Sequence, residues 1–218
     1  MIQISITDLR ALDGDTQLVA VHVLIVSGDG QRDARTYRIL PEHYAAMRLR
    51  VGEIAPDTVD ALEQAATLAG AICRGLRMLS YSAKSERALC MKLRSVGISP
   101  EVAAEAAAYL GRKGLMNEQG DAMRIVSACR RKRWGMRRIL SHLYEKGYPE
   151  QVIREVQAEL EGEDFVPDCV ALIRAKYGEV SEDRHDQQKM IAALMRYGYA
   201  MGEIRQAMET VSREDGEE

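Results

Sequence analysis

Aromatic content is low in this chain, with one Phe and one Trp beside nine Tyr in 218 residues. Proline is also scarce, at five. With Ala, Leu and Met plentiful, that shortage argues against a large sheet and for helices packed through small, flexible side chains. The four cysteines, Cys73, Cys90, Cys129 and Cys169, stand far apart, with no C-x-x-C and no short Cys/His cluster. They read as reduced, mostly core residues rather than a disulfide framework or metal ligands. His22, His43, His142 and His185 are just as scattered. No apolar run approaches the ~20 residues that a membrane span needs. Met1-Ile2-Gln3-Ile4-Ser5-Ile6 alternates and then meets Asp8, which is not how a secretory signal opens. A cytoplasmic protein is the expectation.

Catalytic patterns are missing too. There is no nucleophile elbow, no P-loop and no supported pair of carboxylates. Gly28 and Gly30 precede residues that read as strand, not the helix a phosphate loop must feed. The acidic cluster Glu161 to Asp164 falls where a helix ends and reads as a solvated loop. Glu182, His185 and Asp186 could ligate a metal if helical, but acids at a helix N-terminus explain them better. The expectation is a binding protein without enzymatic activity, metal or cofactor.

What is present is segregated charge. Residues 1–73 carry 6 basic and 10 acidic side chains, residues 74–146 carry 16 and 6, and residues 147–218 carry 8 and 17. A formal net charge of −3 thus hides a basic centre between acidic ends. Within the centre stand Arg124, the run Arg130-Arg131-Lys132-Arg133, then Trp134, Arg137, Arg138 and Lys146. Like charges on adjacent turns repel, so an anionic partner is the economical explanation for keeping them together. These nine residues form the candidate binding site. Trp134 has two readings, as a platform for a base or as packing within its own repeat.

Taken in order, residues 2–6 alternate as a half-buried strand, Asp13-Gly14-Asp15 is a turn, and Leu18 to Val26 is a second, β-branched strand. Ser27-Gly28-Asp29-Gly30 makes a hairpin connection to a third strand at Thr36 to Leu40, followed by a short helix from Pro41 that ends by Gly52. From Asp57 onward only helices are predicted. Val59, Leu62, Ala66, Ala69 and Cys73 share one face, Leu89, Leu93 and Val96 the next, and Ser99-Pro100-Glu101 opens a third helix. The pattern then repeats. Ala122, Ile125, Val126 and Cys129 form one stripe with Arg124 and Arg131 on the opposite face; Ile139, Leu140 and Leu143 form another; Val152, Ile153, Val156 and Leu160 a third. A looser copy follows, with Val170, Ile173 and Tyr177, then Ile191, Leu194 and Met195, then Ile204, Ala207, Met208 and Val211.

One motif fixes the register. Leu93-x-x-x-Gly97, Leu143-x-x-x-Gly147 and Leu194-x-x-x-Gly198 recur 50 and 51 residues apart, each followed by a new apolar helix. Glycine suits the residue after a helix, where φ turns positive. The expected fold is mainly α: three tandem three-helix repeats in an elongated curved array, preceded by a small N-terminal antiparallel β segment. The divisions are a β-rich domain at 1–55, repeats at 56–117, 118–164 and 165–212, and a disordered acidic tail at 213–218.

The sequence resembles the RecX regulatory proteins of bacteria. Gly135-Met136-Arg137-Arg138-Ile139-x-x-x-Leu143-x-x-Lys146-Gly147-Tyr148 is similar to that family's Gly-Pro-Arg-Arg-Ile…Leu-x-x-Lys-Gly-Ile in the middle repeat. Ser85-x-x-x-Leu89-x-x-Lys92-Leu93 is similar to its first-repeat pattern, with Ala88 in place of a glutamate. Gly114-Leu115-Met116-Asn117-Glu118 stands where the family has Gly-Tyr-Leu-Asp-Asp. Departures are Met136 for proline and Gly120-Asp121-Ala122 for the family's Arg-Phe-Ala, and the third repeat matches only in outline. The resemblance covers roughly residues 75–212, and the N-terminal strands resemble the extra β segment of longer members. It implies a modulator of the recombinase RecA, lying along the RecA–DNA filament and restraining its ATPase, strand exchange and co-protease activities. Weak, non-specific binding to single- and double-stranded DNA and a monomeric state go with that expectation. The alternative is a helix-turn-helix-like module acting directly on duplex DNA, disfavoured by the acidic ends and by the lack of a base-reading helix.

Overall fold

The computed structural model describes residues 2–12 and 17–215. The turn expected at Asp13-Gly14-Asp15 lies outside the described residues. The chain divides into two compact units, Met1–Met116 and Asn117–Glu218.

In the first unit, strands β1 (Gln3–Ala11), β2 (Val19–Val26) and β3 (Arg32–Ile39) form an antiparallel meander. Helix α1 (Pro41–Met47) follows, and a two-residue strand β4 (Gly52–Glu53) returns to pair with β1, giving the order β3-β2-β1-β4. The sequence predicts three strands. Two residues are too short to show alternation, and β4 exists only because Ser5 and Ile6 offer it a ladder.

Helix α2 (Pro56–Tyr81) joins the two parts of this unit. Its first half buries Val59, Leu62 and Ala65 against Ile6, Val21, Val23 and Ile39 of the sheet. Its second half buries Leu68, Ala69 and Ile72 with Leu89 and Leu93 of α3 (Glu86–Ser95) and Ala103, Ala106 and Leu110 of α4 (Pro100–Arg112). A side chain such as Leu contributes roughly 1.5–3 kcal/mol when fully buried, so one 26-residue helix ties the sheet to the first repeat. Small residues set the spacing: a Cβ on Gly75 would lie 2.7 Å from a Leu110 methyl. Ser85 and Ser99 cap α3 and α4 by accepting from the Ala88 and Val102 N–H groups.

The second unit holds α5 (Glu118–Arg131), α6 (Met136–Glu145), α7 (Glu150–Leu160), α8 (Val166–Tyr177), α9 (Arg184–Arg196) and α10 (Met201–Asp215). These are two more three-helix repeats, and they share one core. Ala122, Val126, Ile139, Leu143 and Val156 from the first pack in one cluster with Phe165, Cys169, Leu172, Leu194, Tyr199, Ile204 and Val211 from the second. The α8 stripe therefore runs through Cys169, Leu172 and Ile173, while Tyr177, read from the sequence as part of it, is 41% exposed. Cys129 and Cys169 are buried, Cys73 and Cys90 half-buried.

The C-terminal end differs from expectation. The segment from Arg213 to Asp215, assigned to a disordered tail, is the last turn of α10. It is fixed by ion pairs, Arg213 to Glu209 at 2.6 Å and Arg174 of α8 to Glu214 at 3.1 Å, which a reading of local composition does not see. Glu182 precedes α9, whose N-cap is Asp183, accepting from the His185 and Asp186 N–H groups. Glu182, His185 and Asp186 thus do not share one helical face, and Asp186 pairs with Lys189 at 3.0 Å.

The recurrent glycines end α3, α6 and α9 alike. Gly97, Gly147 and Gly198 have φ of 90°, 77° and 97°. The next residue's N–H returns to the carbonyl of Leu93, Leu143 or Leu194 at 3.2–3.3 Å, closing the last turn onto the buried leucine.

Candidate functional site

The basic run sits where α5 ends. Its termination matches that of α4, where Gly114 at φ 69° is followed by Leu115, whose N–H returns to the Leu110 carbonyl. At the end of α5 the left-handed position is filled by Arg133, φ 57°, and the Trp134 N–H returns to the Cys129 carbonyl at 3.2 Å. An L-residue held there costs roughly 1–2 kcal/mol. Two long-range contacts offset that cost. The Arg133 guanidinium donates to the Ala171 carbonyl of α8 at 2.8 Å, and the Arg133 carbonyl accepts from the Tyr199 hydroxyl at 2.8 Å.

This turn splits the four basic residues into two pairs. Arg130 points into the unit, onto Glu163 at 2.6 Å and Asp168 at 3.1 Å, with its guanidinium 4.8 Å from the Phe165 ring centroid. The acidic loop around Glu163 is thus an ion-pair partner of the basic run. Arg133 is occupied as described. Arg131 and Lys132 are exposed. A single turn decides which cations face solvent.

Trp134 is half-buried against the core of the unit and is the centre of a cationic stack. Arg138 lies 4.0 Å from its ring centroid and Lys132 5.5 Å, while the His142 ring meets it edge-on at 5.3 Å. Arg138 also lies 5.1 Å from the Tyr197 ring, and Lys176 lies 4.4 Å from it. Cations near aromatic faces gain about 0.5–2 kcal/mol each, more as water is excluded. The Lys176 ammonium beside the Tyr197 phenol, by its hydrogen bond first, holds that phenol below the ordinary tyrosine value. Burial, then the charge of Lys146, pushes the His142 imidazole below the ordinary histidine value.

The N-terminus of α6 is tied to the end of α9. The Gly135 N–H donates to the Tyr197 carbonyl at 2.8 Å, and the Arg137 N–H donates to the Gly198 carbonyl at 3.2 Å. The two backbones touch: a Cβ on Gly135 would lie 2.5 Å from the Gly198 carbonyl, and one on Gly198 would lie 2.8 Å from the Gly135 oxygen. The Arg137 side chain leaves this contact outward and is exposed. Among the described residues, neither Arg131 nor Arg137 makes an ion pair. Lys146 is exposed at the C-cap of α6. Arg124 is exposed too, but pairs with the buried Asp121 one turn before it. That pair occupies the stretch where the sequence departs from the Arg-Phe-Ala of the resemblance.

The structure therefore brings Lys132, Trp134 and Arg138 together at the α5–α6 turn, with Arg131 exposed at the end of α5 and Arg137 exposed at the start of α6. It adds Lys176 and Tyr197, which the sequence reading did not include. Tyr197 adjoins the recurrent Gly198, which is a positional signal in the sequence; nothing local marks Lys176.

The molecule belongs to the class of helical repeat proteins built from three-helix units, here with an N-terminal sheet. No family model and no curated protein matches the sequence. Solved structures match the fold. The crystal structure of regulatory protein RecX superposes with a TM-score of 0.73, covering 94% of this chain and 99% of that one at 19% identity. The crystal structure of RecX from Lactobacillus salivarius superposes with a TM-score of 0.57, covering 67% of this chain and 97% of that one at 20% identity. This chain has the RecX fold. Among the described residues no helix is long and apolar enough to cross a membrane.

Proposed function

We propose that this protein is a RecX-type regulator that engages the RecA–DNA filament and restrains its ATPase, strand-exchange and co-protease activities. It acts in the cytoplasm by binding, without a cofactor, and as a monomer. The observation that carries the reading is the α5–α6 turn, where Arg131 and Arg137 point outward beside the Arg138–Trp134 stack in a chain with the RecX fold. An exposed guanidinium forks onto phosphate or carboxylate oxygens, so the same face suits the DNA backbone of a filament or acidic recombinase surfaces. Trp134 serves here chiefly to hold Arg138, since cations already approach its ring.

The test is the single-strand-dependent ATPase rate of RecA with this protein at substoichiometric ratio. The expected result is a marked fall, lost in the variant Arg131→Glu/Arg137→Glu. Both positions are exposed, so the variant's stability should stay within about 0.5 kcal/mol of the parent. An unchanged ATPase rate, with sequence-dependent binding to duplex DNA, would replace this reading with the DNA-binding module.

A further inference from the structure

The basic centre begins well before α5. Residues 74–94 carry six basic side chains (Arg74, Arg77, Lys84, Arg87, Lys92 and Arg94) against one acid, Glu86. All lie in the first repeat, on the second half of α2, on α3 and on the turn between them. We infer that this surface of the first repeat is a second nucleic-acid contact, gripping the phosphates of a single strand and stacking a base on Tyr81. The inference rests on the functional reading above and extends it to a repeat with no residue in the candidate site.

Three observations support it. Arg74, Arg77 and Tyr81 stand at i, i+3 and i+7 on α2, which puts them on one helical stripe, and all three are exposed. Arg87, Met91 and Arg94 make the same kind of exposed stripe on α3. The two helices lie alongside, because the Arg74 guanidinium reaches the Val96 carbonyl just past the end of α3, at 3.5 Å. Cations thus line two neighbouring helices with no interleaved acid beyond Glu86.

Tyr81 is the second observation. It is the last residue of α2 and is 84% exposed, so its ring has little packing role in the fold. An aromatic face presented among guanidinium groups is the combination that binds single strands with little sequence preference, backbone by charge and base by stacking. An acidic protein face would use the cations as well, and the experiment below separates it from a single strand.

The internal repeat supplies the third. Aligning Leu93 with Leu143 places Arg87 on Arg137 and Arg74 on Arg124. Arg87 and Arg137 are each the second residue of their helix, α3 and α6, and each is exposed. The first repeat thus offers its own copy of the outward arginine on which the functional reading relies. In the third repeat the register places Gln188 at that point, within a segment rich in acid.

The experiment measures binding of the full chain to a fluorescently labelled oligothymidylate by anisotropy across a salt series, with the RecA ATPase assay run in parallel. Neutralising three contacts in Arg77→Gln/Arg87→Gln/Arg94→Gln should make the slope of log K against log salt shallower by about 2. Tyr81→Ala should weaken oligothymidylate binding by about five-fold or more. Both variants change exposed residues, and an unaltered melting temperature verifies that they fold. An unchanged slope and affinity in the folded variants would overturn the inference, as would failure of the parent protein to bind oligothymidylate at low salt. Loss of binding to DNA-free RecA alone would overturn it in favour of an acidic protein face. In each of these cases a parent protein that still lowers the RecA ATPase rate leaves the functional reading standing.

Discussion

The Tyr199 hydroxyl donates to the Arg133 carbonyl at 2.8 Å, across 66 residues of sequence. Tyr199 follows the recurrent glycine of the third repeat and is fully buried. Arg133 sits in the left-handed turn that aims the basic run of the second. The bond joins the end of α9 to the end of α5, so the direction of the exposed cations depends on the third repeat being folded against the second.

Substitutions at Arg133 should rank in an order that reveals this trade. Arg133→Gly relieves the positive φ but loses the guanidinium bond to Ala171, whereas Arg133→Ala loses the bond and keeps the strain. Urea denaturation should find the glycine variant more stable than the alanine variant by about 1 kcal/mol. At Gly114, which holds the same turn position after α4, substitution by alanine should cost stability by a similar amount. Equal stability of the two Arg133 variants would mean that the turn is not strained.

Contact between glycine backbones should be less forgiving than the helix-ending role alone. Gly97 has a positive φ and open space around a would-be Cβ, so Gly97→Ala should cost only the conformational strain, about 1 kcal/mol. Gly135 has an ordinary φ of −75° but a carbonyl 2.5 Å from its would-be Cβ, so Gly135→Ala must separate the α6 N-terminus from the α9 turn. Its cost should exceed that of Gly97→Ala, at about 2–4 kcal/mol as for other overpacked or network-breaking changes. The comparison of unfolding midpoints decides it, with Gly97→Ala the milder.

Acid should weaken the second unit through His142. Its imidazole has a folded value below the ordinary one because burial and Lys146 disfavour the cation. The unfolded chain therefore binds the proton more readily, and stability is lost as pH falls through the ordinary histidine value of about 6.5 towards the lower folded one. Thermal unfolding followed by Trp134 fluorescence should show a melting temperature that drops across this window. His142→Gln should flatten that drop, since it removes the titrating ring beside the indole. A drop of equal size in the variant would assign the acid sensitivity to other groups.

Much of the fold was legible because it is local. Capping residues such as Ser85 and Ser99, apolar stripes at helical spacing and the three L-x-x-x-G ends each act within a few residues. Period and punctuation therefore placed the helices and their grouping into repeats, and charge counting located the basic centre. Strand β4 escaped because two residues carry no period. The last turn of α10 escaped because it is held partly by Arg174 on another helix.

The division of the basic run was not legible at all. Arg130 and Arg131 are neighbours in sequence and alike in chemistry, yet one is bound to Glu163 and Asp168 and the other is exposed. Side-chain direction there follows from a left-handed residue and from partners 33 to 66 positions away, brought close only when the two repeats share their core. The sequence by itself determined the repeats, their helix ends and where positive charge collects, since short-range sterics and hydrogen bonds govern those. Tertiary structure decided which charges the protein keeps for itself and which it presents, because that choice depends on long-range packing.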